Sequence, residues 1–157
     1  MDKQLVNSIQ EALLLGKFKS FCEKNSSVES QQRLRTIYSH SPDKLVTTKN
    51  LFINETGEIL NEEELGRMYE LVVAFLKKNN YRKTISNSVK LTLLKNQNFK
   101  CAICGKEIDM RAHADHTVPF KYVGDKLSDN YQMLCSNCNL KKNASIDYQI
   151  RYLLKSI

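Results

Sequence analysis

The chain has 157 residues, 41% hydrophobic and 26% charged, with 24 Lys+Arg against 17 Asp+Glu for a formal net charge of +7. That length and balance predict one compact domain, or a small module with a helical extension, and exclude a mainly disordered chain. The longest apolar runs, such as Leu13-Leu14-Leu15 and residues 71–76, are too short to span a bilayer, and no signal-peptide pattern opens the chain, so a cytoplasmic protein without a membrane partner is expected.

Leu5, Ile9, Ala12, Leu13, Phe18 and Phe21 recur at helical spacing and predict a first helix over about residues 2–22. Leu34, Ile37 and Tyr38 predict a short second helix that ends before Ser41-Pro42, because a residue preceding proline avoids helical angles. Leu51-Phe52-Ile53 and Ile59-Leu60 flank a polar segment containing Gly57 and read as a small hairpin, since glycine permits a left-handed turn. Asn61 followed by Glu62, Glu63 and Glu64 has the cap and acidic first turn of a helix that runs to about Lys78. A further helix is predicted from Ser86 or Ser88 to Lys95. Residues 112–118 and 131–134 read as two strands, joined by a loop holding Pro119, Gly124 and Asp125. After Cys138 a polar turn through Asn143 leads into a last amphipathic helix from about Ser145, with Ile146, Ile150, Leu153 and Leu154 along one side.

The charge is one-sided. Residues 1–80 balance 11 Lys+Arg against 11 Asp+Glu, whereas residues 81–157 hold 13 against 6, so the whole excess lies in the second half. A basic module of this kind favours a polyanion such as nucleic acid, because each cation near a phosphate releases condensed counterions. The neutral first region suits protein contacts, sequence recognition or homodimerisation.

Four of the five cysteines form two pairs, Cys101-Ala-Ile-Cys104 and Cys135-Ser-Asn-Cys138, with 30 residues between; Cys22 stands alone and reads as a small buried hydrophobe. Each pair can aim two thiolates at one tetrahedral ion, and Gly105 lets the chain turn back around it. Closing such a loop costs roughly 3 kcal/mol of chain entropy, against about 10–16 kcal/mol for a structural zinc site, so zinc binding is expected to win.

Between and after the pairs come Asp115-His116-Thr117-Val118-Pro119, then Asn130 ahead of Cys135, then Cys138-Asn139-Leu140-Lys141-Lys142. With the cysteines, this set over about residues 95–145 resembles the HNH endonuclease family. The resemblance implies an α+β fold: a small zinc-stapled ββα-metal core in the C-terminal half, with a mainly helical N-terminal region. It divides the chain into residues 1–85, for recognition, dimerisation or docking, and residues 86–157, the nuclease domain.

The resemblance also implies a catalytic set. The Asp115 and Asn139 positions hold the catalytic metal, His116 is the general base, and Asn130 fixes the loop between the strands. An Asn rather than a His at position 139 favours Mg2+ or Mn2+. The chemistry is consistent: an imidazole suits proton transfer near neutral pH, while one carboxylate and one amide make a weak hard-cation site that waters and substrate phosphate complete. Adjacent strand residues point to opposite faces, so a bend or the strand end must bring Asp115 and His116 to one place. Lys121, Lys141 and Lys142 are the expected phosphate contacts. His113, sharing a strand face with Asp115, reads as a polar strand residue or DNA contact, with a catalytic or metal role as the alternative, and His40 as a surface residue. The reading is a metal-dependent endonuclease hydrolysing DNA, in restriction or phage defence; the alternatives are an inactive zinc-dependent nucleic-acid-binding module and an RNA nuclease.

Overall fold

In the computed structural model, which describes residues 2–155, the chain opens with α1 (Lys3–Lys24), started by Asp2, whose carboxylate accepts the Gln4 N–H. Ser27 caps α2 (Val28–Ser39) in the same manner, and that helix ends before Pro42, where the sequence requires it. The hairpin expected around Gly57 is not formed. Residues 51–53 belong instead to α3 (Lys44–Thr56), whose Asp43 cap accepts the Leu45 and Val46 N–H groups. Thr48, Leu51 and Phe52 recur at helical spacing and bury one face, which outweighs the local turn signal. Gly57, at φ 73°, supplies the left-handed residue that ends this helix, a helix cap in place of the expected hairpin turn. Gly57→Ala is expected to destabilise the protein by about 1 kcal/mol, because a Cβ is strained in that region; an unchanged melting temperature would contradict this.

Helix α4 (Glu62–Lys77) has a reciprocal capping box: the Asn61 side chain accepts the Glu64 N–H, and the Glu64 carboxylate accepts the Asn61 N–H. Its Met68, Leu71, Val72 and Phe75 enter a core with Phe18, Phe21, Leu34 and Phe52, in which Phe21 and Phe52 stack with centroids 4.6 Å apart. After an extended segment, α5 (Asn87–Asn96) leads to the first cysteine pair. Strand β1 (His113–His116) pairs antiparallel with β2 (Tyr131–Leu134), His113 opposite Leu134 and His116 opposite Tyr131. Between them lies the short α6 (Phe120–Val123), where only a loop was expected. The polar turn expected after Cys138 is a helix, α7 (Ser136–Lys142), and α8 (Ile146–Leu154) follows.

Val118, Val123 and Ile146 belong to the same buried cluster as Phe18 and Phe75. Helix α8 packs along α1, and α6 packs on α4. Residues on both sides of position 85 therefore contribute to this cluster, while the cysteines and Leu134 form a smaller buried cluster of their own. Among the described residues no helix is long and apolar enough to cross a membrane.

Candidate active site

The sulfurs of Cys101, Cys104, Cys135 and Cys138 all lie within 4.8 Å of one another. A tetrahedron with metal–sulfur bonds of about 2.3 Å has edges of about 3.8 Å, so the cluster has the size to hold one ion. The Cys104 and Cys135 sulfurs, 3.8 Å apart, match that edge. Backbone geometry builds the cluster. Gly105, at φ 75°, donates its N–H to the Cys101 carbonyl and reverses the chain, and Lys100 bridges to Glu107 across the turn. Cys135 both joins the cluster and caps α7, accepting the Cys138 N–H on its sulfur. Cys22 lies apart, in the helical core, where burial pushes its thiol up.

Beside β1 lies a cleft of about 520 Å3 whose lining includes Asp115, His116, Phe120, Lys121, Arg82 and Asn139. His113 to His116 all line it, and His116 is the last strand residue, so Asp115 and His116 meet at one cleft at the end of β1.

Asp115 is anchored through one oxygen. Its Oδ2 accepts Gln132 Nε2 at 3.0 Å and pairs with Lys142 Nζ at 3.0 Å. Gln132 also donates to Gln149 Oε1 on α8, tying this network to the helix that packs on α1. Asp115 Oδ1 has no hydrogen-bond partner among the described residues, nor does the Asn139 side chain. Among the described residues no fully buried side-chain N or O lacks a partner, so these atoms are not sealed from the cleft. One free carboxylate oxygen and one free amide on the same cleft fit a hard divalent cation that keeps most of its waters.

Lys142, expected at the phosphates, is instead fully buried. Its ammonium donates to the His116 carbonyl at 2.8 Å as well as pairing with Asp115. The side chain that a helix-start motif suggested for DNA holds the two adjacent site residues from beneath. Lys121 is exposed on the cleft wall and Lys141 in the groove beside it. Asn130 is buried outside the cleft: its amide accepts the Val118 N–H and donates to the Val118 carbonyl, both at 2.8 Å. It clamps the chain where β1 ends. His113 is exposed and 3.2 Å from Ser136 Oγ, and His40 is exposed at the end of α2.

His116 is 2.6 Å from Asp125 through its Nε2, and its ring packs between Phe120 and Tyr131 with centroids at 5.3 and 4.8 Å. Asp125 also accepts the Tyr131 hydroxyl and the Lys83 N–H. Burial alone would push the Asp125 carboxyl up, but hydrogen bonds from His116, Tyr131 and Lys83 outweigh it and hold it at about 2. Burial and that carboxylate push Tyr131 up to about 12, so the phenol stays a donor. Sequence reasoning took Asp125 only as a loop residue. It also passed over Arg82, whose guanidinium lies 4.4 Å from the Phe120 ring centre at the cleft.

No curated protein matches the chain. Residues 101–145 match the family model described as HNH endonuclease, which takes in the cysteine cluster, both strands and α7. This stretch of the chain therefore carries the HNH endonuclease domain that its motif resembles.

Proposed function

We propose that the protein hydrolyses DNA phosphodiester bonds at the β1 cleft, with His116 as general base and Asp115 and Asn139 as the ligands of a divalent ion, Mg2+ or Mn2+. The supporting observation is that His116, the open Asp115 oxygen and the Asn139 amide share one cleft, in the half of the chain that carries the basic excess. His116 takes a proton from water, the water oxygen bonds to phosphorus, and the bond to the leaving oxygen breaks as that oxygen is protonated from solvent. When bound, the divalent ion supplies a Lewis acid against the charge that builds on the phosphoryl oxygens. Arg82 and Lys121 hold the flanking backbone phosphates. Zn2+ at the four cysteines plays a structural part, since four protein ligands leave no open position.

Incubation with plasmid DNA, with and without Mg2+, tests this reading beside His116→Ala. The parent should cut only with the metal, and the variant should be slower by about 10²–10⁴-fold, the usual contribution of a general base. Equal cutting by the variant would remove His116 from the role. No cutting by either would favour a nucleic-acid-binding module, and cutting confined to a labelled RNA run in parallel would redirect the substrate to RNA.

A further inference from the structure

Asp125 accepts hydrogen bonds from His116, Tyr131 and Lys83 beside the cleft. It follows Gly124, whose φ is 57° and where an added Cβ would stand 3.1 Å from the Lys78 Cβ. The extended segment after α4 is thus laid against this loop. Two bonds fasten it there: Lys78 Nζ donates to the Lys121 carbonyl at 2.9 Å, and the Lys83 N–H donates to Asp125 Oδ2 at 2.7 Å. Asp125 Oδ1 faces His116 Nε2 and the Tyr131 hydroxyl. Both oxygens are occupied, so the carboxylate has little freedom to turn.

An ionised carboxylate only accepts hydrogen bonds, so His116 Nε2 must carry the proton in this contact. The other ring nitrogen, Nδ1, then carries the lone pair when the imidazole is neutral. Among the described residues it has no partner and no fully buried side-chain nitrogen is unpartnered, so Nδ1 is not sealed off in a residue that lines the cleft.

We propose that Asp125 is a positioning residue that fixes His116 as the Nε2–H tautomer and presents its Nδ1 lone pair to the cleft. The catalytic part of this inference rests on His116 being the general base. Tyr131 and the Lys83 N–H hold Asp125 itself, so the segment that joins the helical region to the metal-binding region helps aim the base.

The test is the tautomer of the neutral His116 ring, read by long-range 1H–15N correlation in the full chain across a pH series. His116→Ala identifies the signal by its loss. Wild-type His116 should be Nε2–H. In Asp125→Asn, the Lys83 N–H can only donate, so the amide oxygen turns toward it and the NH2 faces Nε2, which should convert His116 to Nδ1–H. Asp125→Ala should give a mixture of the two. On DNA, Asp125→Asn should lower kcat by about 10²-fold or more with KM within about twofold, because a wrong tautomer disables the base without removing binding groups. A wild-type Nδ1–H form, an unchanged tautomer in Asp125→Asn, or an unchanged kcat would each overturn the proposal. If the wild type cuts nothing, the nuclease reading falls, and the tautomer measurement alone decides whether Asp125 fixes the ring.

Discussion

Cys135→Ser is expected to lose the bound zinc and to unfold the segments around the two cysteine pairs. Cys135 serves this region twice, as one of four clustered sulfurs and as the cap of α7. A serine could still cap the helix, but a neutral hydroxyl is a poor zinc ligand, so metal binding is what the substitution removes. The local core has little else to rely on: Leu134 and the cysteines, with Ala102, Ile103 and Ile108 packed against them. A structural zinc site is worth about 10–16 kcal/mol, comparable with the whole stability of a typical domain, so no rearrangement of these few apolar contacts can offset its loss. Metal content and circular dichroism melting check the prediction. The parent should carry one zinc per chain and the variant almost none, with lower ellipticity and a broadened transition. Cys22→Ala is the control, since that cysteine lies in the separate helical core and its removal should leave the zinc in place. Full zinc occupancy in Cys135→Ser with a parent-like melt would refute the cluster.

The parts of the site that could be read in the sequence are those whose chemistry demands fixed spacing. A tetrahedral ion needs paired thiols, so Cys101, Cys104, Cys135 and Cys138 announced themselves. The two strands and the capped α4 followed from periodicity and from the Asn61–Glu64 pair. What escaped depends on contacts between residues far apart in the chain. Asp125 meets His116 nine residues away and Lys83 42 residues away, and no local pattern marks such a partnership. Lys142 looked like one more exposed lysine because its burial is created by β1, which lies 26 residues earlier. Gly57 showed the opposite failure: its left-handed conformation was legible, but a helix end and a hairpin turn use the same residue, and the buried face of α3 decided between them. Net charge changes near residue 85, while Val123 and Ile146 belong to the same buried cluster as residues of α1 and α4, so packing does not follow the charge boundary.

Lys142→Met should be the most damaging change to the site that leaves every proposed metal ligand in place. Methionine nearly matches the lysine stem in length, so the substitution tests the ammonium rather than the packing. That ammonium is fully buried and bridges the Asp115 carboxylate and the His116 carbonyl. Removing one partner of a buried pair leaves the other charge uncompensated, at a typical cost of 3–5 kcal/mol. Asp115 keeps its bond from Gln132 and some access to the cleft, which reduces the expected loss to about 3 kcal/mol. For a chain of this size that corresponds to a drop in melting temperature of roughly 6–12 °C. A melting temperature within about 2 °C of the parent would mean that the pair contributes almost nothing, as exposed pairs do. Cleavage should suffer beyond the stability loss, because the same ammonium orients the carboxylate proposed to hold the metal and the backbone of the proposed base. Assays well below the variant's melting temperature separate the two effects. A stable, folded Lys142→Met protein that cuts plasmid at the parent rate would show that Asp115 and His116 need no support from beneath.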